Sequence, residues 1–280
     1  MKQRSLLLWL YALLVVGLPL AGLFNAFLYS VGLVGPLSVG FTPRYWQQLP
    51  GETSLLTSLG FSLYVAVVSV GLAVILALVL VLRYQTTLRH WPFPTLLYVP
   101  LLFPSLVMAF YLFQLLGGSG WLARMAYQLH LIQSPAGFPE LIQDGAGLGI
   151  LLAQVGLAFP FFTLLFQSLY ADARLDELRN LTRTLGASSW QFNRRVAAPI
   201  LLRRAAPTLV LYGVAVLGAY DIPLLLGRNY PQMLSLYITT KLQRFDLTEL
   251  PMGYLVGFLV TLVLMAVIYA TTRWTQRHAL

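Results

Sequence analysis

Residues 55–82 read LLTSLGFSLYVAVVSVGLAVILALVLVL, a run of 28 residues without a charged side chain. About 20 consecutive apolar residues are enough for a helix to cross the hydrocarbon of a bilayer, so this stretch predicts a transmembrane helix. The whole chain agrees, because 58% of its 280 residues are hydrophobic and only 10% are charged. Soluble domains carry roughly 25% charged residues. Lipid is therefore the expected solvent for most of this chain.

Five further apolar runs of similar length accompany this one, so the sequence predicts an all-α polytopic membrane protein with six transmembrane helices. The first run is longer than the ~7–15 apolar residues of a secretory signal peptide, which favours an uncleaved helix over a removed leader. The five runs lie at about residues 6–28, 94–116, 148–170, 207–226 and 253–271.

The basic residues are distributed unevenly between the two sides of such a protein. If both termini are cytoplasmic, 13 of the 18 Lys and Arg residues lie in cytoplasmic segments and five lie outside. Cytoplasmic loops of membrane proteins carry an excess of Lys and Arg, so this orientation is predicted. The net charge of +9 is then a topology signal, and it requires no nucleic-acid partner.

The sequence lacks the residues for several kinds of chemistry. A P-loop needs a lysine after a glycine to hold phosphates, and neither Lys2 nor Lys241 follows a glycine. The chain has no cysteine and its three histidines are far apart, so no thiolate or metal site is predicted. Asp221 is the one charged residue clearly within a predicted span, which argues against a proton relay. We therefore expect no catalytic residues in this chain.

The longest cytoplasmic loop, about residues 171–206, carries a helix–turn–helix pattern. Leucines at 175, 178, 181 and 185 share one face of a first helix. Gly186 stands where a helix C-terminus favours a residue with positive φ. Ser188 and Gln191 form a capping-box pattern that predicts the start of a second helix.

Two prolines, Pro199 and Pro207, are expected to break or bend the chain on its return to the membrane. From the residues alone, the loop is either a basic amphipathic hairpin on anionic headgroups or a docking element for another protein.

Residues 183–207, RTLGASSWQFNRRVAAPILLRRAAP, resemble the cytoplasmic signature loop of binding-protein-dependent ABC importer permeases. The family's Gly-Ala, hydrophobic and proline positions are matched by Gly186, Ala187, Phe192, Val196, Pro199 and Pro207. The family's preceding Glu-Ala-Ala is absent, and residues 180–182 read Asn-Leu-Thr instead. Asp176 and Glu177, one turn earlier, are candidates to replace the missing glutamate.

The resemblance extends over about residues 54–274. Residues 58–83 resemble the first core helix of the family, and GAYDIPLLLG (218–227) with PQMLSLYI (231–238) resembles the fifth helix of the polyamine and thiamine branch. This implies one type I permease domain over residues 1–280, in the inner membrane of a bacterium. The implied coupling residues are Thr184, Leu185, Gly186, Ala187, Ser188, Ser189, Trp190, Phe192 and Pro199.

The resemblance also implies partners. These are a second permease subunit, with a paralogue favoured over an identical copy, two cytoplasmic ATPase subunits, and an extracytoplasmic solute-binding protein. ATP and Mg²⁺ would be bound by the ATPase subunits, so no cofactor is expected in this chain. The implied solute is small and of the polyamine or thiamine type. A stand-alone secondary carrier or channel, or a membrane scaffold, remains an alternative.

Asp221 is the foremost candidate for the solute path. A carboxylate in lipid is costly, so Asp221 should face a cavity, a partner or the outer interface. It either lines the path and favours a cation, or it pairs with Arg228 or another subunit. Further polar candidates for the path, each of which helix packing also explains, are Tyr220, Tyr212, Gln114, Gln154 and Asn25.

Overall fold

A computed structural model describes residues 10–38, 40–88, 90–243 and 246–278, with side chains given for all of these except 136 and 274–278. Every regular element within these ranges is helical, which confirms the all-α prediction. Lys2, Arg4, Arg89 and Arg244, which entered the charge count, lie outside the described residues.

Six helical segments in the described part of the chain are long and apolar enough to cross a membrane, as predicted. Their bounds are Leu10–Ser30, Thr53–Leu88, Ser105–Gln128, Leu148–Asp172, Ser189–Leu217 and Leu247–Arg273. The helices, numbered along the chain, are α1 (Leu10–Ser30), α2 (Arg44–Gln48), α3 (Thr53–Leu88), α4 (Phe93–Tyr98), α5 (Ser105–Leu116), α6 (Trp121–Gln128), α7 (Leu148–Asp172), α8 (Leu175–Thr184), α9 (Ser189–Leu217), α10 (Asp221–Leu226), α11 (Leu234–Gln243) and α12 (Leu250–His278).

The third predicted span, residues 94–116, is interrupted. After α4, a 3₁₀ turn at Pro100–Leu102 leads into extended backbone at Phe103 and Pro104, and α5 begins at Ser105. A proline lacks the amide hydrogen and pushes the preceding residue out of the α region. Pro104 therefore explains why Phe103 is extended and why the helix restarts after it.

The fifth predicted span, residues 207–226, is also interrupted. Helix α9 ends at Leu217 and a separate short helix, α10, begins at Asp221. Pro223 explains the interruption, since it has no N–H to donate to the carbonyl four residues earlier. Pro199 and Pro207, which were expected to break or bend the chain, do not break it, because α9 runs through both; a π-helical turn precedes them at Asn193–Ala197.

The chain divides into two compact units, of which the larger comprises residues 58–233 and 271–280. Small residues at positions 66, 69, 73 and 77 of α3 are buried and allow close helix packing. Two apolar clusters form the core of this unit. The outer cluster is Phe61, Val65, Ala66, Ala109, Ile150, Ala153, Val216, Ile222, Leu226 and Met233. The inner cluster is Ala73, Val74, Ala77, Val81, Leu88, Ala158, Phe162, Phe166, Tyr170, Leu175, Phe192, Ala197, Leu201 and Ala205.

The smaller unit comprises residues 1–57 and 234–270. Its apolar core is formed by α11 and α12, with Leu234, Tyr237 and Leu255 buried. The Tyr29 ring of α1 stacks on the Tyr254 ring of α12, with the ring centroids 4.2 Å apart. Aromatic pairs of this kind contribute about 0.5–1.5 kcal/mol beyond the area that they bury.

A charged cluster on the outer side of this unit joins the segment before α3 to α11 and α12. Lys241 Nζ lies 3.7 Å from Glu52 Oε1 and 3.5 Å from Glu249 Oε1, and the Lys241 side chain is only 13% exposed. Tyr237 Oη donates a hydrogen bond of 3.4 Å to Glu52 Oε2. Burial, as the largest cause, raises the pKa of Tyr237 above its usual value, so the phenol stays protonated and available as a donor.

Replacement of Lys241 by methionine is expected to destabilise this unit. The change would leave the Glu52 and Glu249 carboxylates partly buried without their shared cation, at a cost of about 1–3 kcal/mol. A lower midpoint of thermal unfolding of the purified protein would show this. Lys241→Arg is the matched control, because it keeps the charge, and an unchanged midpoint in Lys241→Met would contradict the assignment.

Candidate functional site

The cytoplasmic loop forms a helical hairpin that is anchored in the core at two points. Leu175 at the start of α8 is fully buried, and Phe192 in α9 is 2% exposed. Both side chains belong to the inner cluster. Of the leucines predicted to share one face of α8, Leu175 is buried, whereas Leu181 and Leu185 are exposed. The hairpin is therefore held at its base and free at its tip.

The turn between the two helices has the predicted geometry. Gly186 has a φ of +79°, which glycine adopts without steric cost. The amide of Ala187 donates to the Thr182 carbonyl and the amide of Gly186 donates to the Arg183 carbonyl, both at 3.0 Å. This is the Schellman arrangement that ends a helix at a glycine, so the direction of the turn is fixed by the backbone itself.

The second helix of the hairpin starts with the predicted capping box. The Ser188 amide donates to Gln191 Oε1 at 2.8 Å, and the Gln191 amide donates to Ser188 Oγ at 3.2 Å. These reciprocal bonds satisfy amide groups that have no partner within the helix. The tip of the hairpin is therefore rigid although it is exposed.

The tip presents apolar side chains outside the membrane. Leu185 is 85% exposed, Trp190 is 64% exposed and Leu181 is 60% exposed. The guanidinium of Arg194 lies 5.1 Å from the centre of the Trp190 ring, which holds the ring in place by a cation–π contact. Large exposed side chains grouped in this way are typical of a surface that another protein covers.

The structure sorts the predicted coupling residues by exposure. Thr184, Leu185, Gly186, Ser188, Ser189 and Trp190 are exposed and lie together at the tip, and Ala187 among them is half-buried. Phe192 is buried and serves as the anchor of the hairpin, so it is unavailable to a partner. Pro199 is exposed but lies seven residues further along α9, away from the turn.

Asn180, which occupies the position of the family's glutamate, is exposed on α8. Of the two acidic residues one turn earlier, Asp176 accepts a hydrogen bond from the hydroxyl of the buried Tyr170. Glu177 is exposed and lies 3.9 Å from the guanidinium of Arg174, which is also exposed. An exposed ion pair of this length contributes little. Asp176 is exposed as well, but its contact with Tyr170 makes Glu177 the acid on this helix that is more available to a partner.

A second candidate site lies where the two interrupted spans meet. Ser105 Oγ, at the start of α5, donates a hydrogen bond of 2.6 Å to Asp221 Oδ2, at the start of α10. Ser105 stands eleven residues before the outer end of α5, which corresponds to about 17 Å along the helix axis. Asp221 therefore lies at a break between two helices, beside the start of α5, rather than within a continuous helix.

The other predicted path residues are dispersed. Gln154 in α7 is 4% exposed, and its Nε2 has no hydrogen-bond partner among the described residues. Tyr212 is half-buried and packs between the rings of Phe161 and Phe162, with centroids 5.2 and 5.0 Å away. Gln114 is exposed on α5. None of these three side chains forms a hydrogen bond with Asp221, whose carboxylate binds Ser105.

Two further path candidates differ in their position. Tyr220 is half-buried and immediately precedes Asp221. Asn25 is exposed on α1 and belongs to the smaller unit. Ser105 was not predicted as a site residue. Its position directly after Pro104, where a helix restarts, could have indicated it.

Arg228 does not pair with Asp221. It is exposed beyond the C-terminus of α10, where it lines an outer pocket of about 820 Å³ together with Glu140, Gln143 and Asn229. The Gln143 amide donates a 2.8 Å hydrogen bond to the Leu226 carbonyl, which ties this pocket to the end of α10. The predicted ion pair between Asp221 and Arg228 is therefore not formed, which leaves the solute path and a contact with another subunit as the predictions for Asp221.

Comparison with known proteins agrees with this arrangement. Residues 69–279 match the family described as binding-protein-dependent transport system inner membrane component. The chain belongs to this family. It is therefore a multi-pass inner-membrane protein and a permease subunit of an ABC importer, a family whose members are not themselves ATPases.

The curated relatives include the thiamine transport system permease protein ThiP of Haemophilus influenzae, which is 28% identical over 236 residues. That match covers 81% of this chain and 40% of the relative, so the chain spans about two fifths of the relative's length.

Solved structures show the same fold. A bacterial ABC transporter involved in the import of the acidic polysaccharide alginate matches with a TM-score of 0.70 at 15% identity, covering 98% of this chain and 96% of the other. The bacterial alginate transporter in complex with an alginate pentasaccharide-bound periplasmic protein matches with a TM-score of 0.68 at 15% identity, covering 99% and 93%. At this identity the likeness establishes the type I importer permease fold.

Replacement of Gly186 by valine is expected to disturb the hairpin through its backbone. A Cβ at this position meets no atom within 4 Å, so the effect arises only from the φ of +79°. A β-branched residue in this region costs about 1–3 kcal/mol. Hydrogen exchange of the amides in residues 182–191 should become faster in Gly186→Val. Gly186→Asn is the control, because asparagine tolerates this conformation, and equal exchange in both variants would contradict the prediction.

Proposed function

We propose that this permease works in an ATP-driven importer in which its hairpin receives a separate ATPase subunit. A small cationic solute passes through the membrane near Asp221. The observation that carries the proposal is the exposed apolar tip of a hairpin whose base is buried in the transmembrane core. The proposal goes beyond family membership in three respects, namely the docking residues, the partners and the solute.

Energy for transport has to come from outside this chain. The sequence offers no lysine for a P-loop, so ATP and Mg²⁺ would be bound by two cytoplasmic ATPase subunits. Leu185 and Trp190 would occupy the groove of one such subunit, since tryptophan is enriched among the residues that dominate binding energy. Because Leu175 and Phe192 are embedded in the inner cluster, a displacement of the tip would be passed directly to the transmembrane helices.

Glu177 is the residue we assign to replace the missing glutamate at Asn180. It lies on α8, three residues before Asn180, and its side chain is exposed. Asp176 is also exposed, but its carboxylate is engaged by the Tyr170 hydroxyl, which makes it the poorer candidate. Glu177 would therefore supply the negative charge from a position one turn closer to the membrane.

A second permease subunit and an external solute-binding protein complete the proposed complex. ThiP is more than twice as long as the stretch that matches this chain, which leaves room in it for a second segment of this size. That length supports a paired arrangement in which the second permease is a paralogue. The alginate transporter was solved with a periplasmic protein, which supports an equivalent partner on the outer side here.

The solute path is proposed at the two helix breaks. Non-helical backbone is tolerated at membrane depth only where it is buried in protein or lines a cavity. The backbone at residues 103–104 and 218–220 leaves the regular helix, and Phe103, Pro104 and Gly218 are exposed in this chain. We therefore assign these breaks to the lining of a cavity, with Ser105 and Asp221 between them. A half-buried carboxylate beside a hydroxyl favours a cationic solute, and a polyamine or thiamine satisfies that chemistry. The name of the thiamine relative points the same way.

The decisive experiment is reconstitution. The chain in proteoliposomes should neither hydrolyse ATP nor move solute alone, whereas the complex with its ATPase, second permease and binding protein should do both. Solute flux from the single chain, driven by an ion gradient, would overturn the proposal in favour of a stand-alone carrier or channel.

Combined replacement of Leu185 and Trp190 by alanine is expected to weaken binding of the ATPase. Truncation of a dominant interface tryptophan costs at least about 2 kcal/mol, or about 30-fold in Kd. Affinity of the detergent-solubilised permease for the ATPase would be measured directly. Trp121→Ala is the matched control, because Trp121 is 53% exposed on α6 on the outer side. Equal affinity of the double variant and the unaltered permease would exclude this docking surface.

Asp221→Asn is expected to reduce uptake of a cationic solute by at least about tenfold, because a charge pair in a partly buried site is worth several kcal/mol. Uptake would be compared for a polyamine, thiamine and an uncharged sugar in the reconstituted complex. Asp172→Asn, which removes only a surface ion pair with Arg204, is the control. If Asp221→Asn transports the cation at the unaltered rate, Asp221 does not select the solute.

A further inference from the structure

Helix α3 is kinked close to its cytoplasmic end. Tyr84 has a φ of −121° and a ψ of 28°, which are not helical values, although the helix continues to Leu88. In a regular α-helix each carbonyl accepts a hydrogen bond from the amide four residues later. The bonds that span Tyr84 are those accepted by the carbonyls of residues 81–83, so Leu82 lies at the centre of the disturbed turn.

A side chain from the hairpin binds this turn. Asn193 Nδ2 donates a hydrogen bond of 3.3 Å to the Leu82 carbonyl oxygen, across 111 residues of sequence. Insertion of a side chain into the backbone hydrogen-bond ladder is a recognised origin of helix kinks. Asn193 is also the first residue of the π-helical turn Asn193–Ala197, and it directly follows the anchor residue Phe192. The hairpin is thus attached to α3 by an amide at the kink.

The segment beyond the kink, residues 85–88, is held at its far end as well. Gln167 Nε2 of α7 donates a 3.4 Å hydrogen bond to the Leu88 carbonyl oxygen, and Leu88 is buried in the inner cluster. Gln85 is 4% exposed, and its Oε1 has no hydrogen-bond partner among the described residues. A buried amide oxygen without a partner destabilises the arrangement that contains it, so a second arrangement of this short segment is energetically accessible.

We propose that Asn193 is a positioning residue. Its hydrogen bond to the Leu82 carbonyl, here called the clasp, holds α3 at the Tyr84 kink and transmits displacement of the hairpin to residues 85–88. A movement of the tip is carried by α9 to Asn193, and the hydrogen bond to Leu82 pulls the kinked turn with it. Residues 85–88 then pivot relative to the long outer part of α3. The inference rests on the proposed function, because the displacement comes from an ATPase docked on the hairpin.

The isosteric substitution Asn193→Asp tests the clasp. It keeps the size of the side chain but replaces the donor NH₂ with an acceptor oxygen, which repels the Leu82 carbonyl. In the reconstituted complex, we expect ATP hydrolysis to persist while solute uptake per ATP falls about fivefold to tenfold, as for loss of one hydrogen bond. Asn193→Gln retains the donor and should restore most of the coupling. Thr261→Val, an exposed polar-to-apolar change on α12, should leave the uptake per ATP unchanged.

A distance measurement separates transmission from simple support. The chain has no cysteine, so spin labels at Thr86→Cys and Ala171→Cys would report only the separation of the ends of α3 and α7. We expect the separation to change by about 2 Å or more between the nucleotide-free and ATP-trapped complexes, and this change to be absent in Asn193→Asp.

Each result has a definite consequence. Normal uptake per ATP and a normal distance change in Asn193→Asp would overturn the clasp and leave the proposed function intact. Failure of the unaltered complex to assemble or to hydrolyse ATP would overturn the proposed function and the clasp with it. Poor expression of Asn193→Asp is resolved by Asn193→Leu, which also lacks the donor and should show the same loss of coupling.

Discussion

One requirement constrains this fold more than any other. Within the hydrocarbon, every backbone N–H and C=O group needs a hydrogen-bond partner. No water competes there, so an unpaired N–H or C=O costs several kcal/mol. The long helices α3, α7 and α9 meet this demand internally. Where the helical ladder is broken, side chains lie at the breaks. Ser105 and Asp221 bond to each other between α5 and α10, and Asn193 binds the Leu82 carbonyl at the kink of α3.

The same constraint explains why function concentrates at the irregular positions. A continuous helix has no free backbone group and can move only as a rod. A broken helix has two ends that can rotate against each other, and the side chain that bridges them sets the preferred angle. In the proposed importer, the break at Asp221 would meet the solute. The kink at Tyr84, near the cytoplasmic end of α3, would respond to the ATPase.

Much of this architecture could be predicted from the sequence. Six apolar runs gave the number of spans because apolar length is a direct requirement of the bilayer. Gly186 and the Ser188–Gln191 pair gave the hairpin turn because local backbone rules decide it. The orientation of the hairpin side chains was not predictable in this way. The leucine pattern of α8 indicated one apolar face, yet Leu185 is 85% exposed, because the tip extends beyond the helices that bury Leu175.

The prolines show that local sequence rules do not decide whether a helix breaks. Pro160 and Pro207 lie inside continuous helices, whereas Pro104 and Pro223 coincide with breaks. The residue type is the same, so the difference lies in the neighbours. The helix around Pro160 continues with its neighbours packed in the inner cluster, whereas Ser105 after Pro104 donates to Asp221, a partner outside its own helix. A partner that lies 116 residues away in the chain cannot be predicted from local sequence spacing.

The charge on the hairpin tip also defines the groove that would receive it. Around the apolar centre formed by Leu185 and Trp190, the exposed charges are mostly basic, with Arg183, Arg194 and Arg195 on the rim. Interfaces bury an apolar centre and leave charges at the rim, and complementary rim charge steers the encounter. In the proposed complex, the groove of the ATPase would therefore have an apolar floor and an acidic rim. One basic position on that rim would face Glu177, since this exposed acid of α8 is not engaged by Tyr170 as Asp176 is.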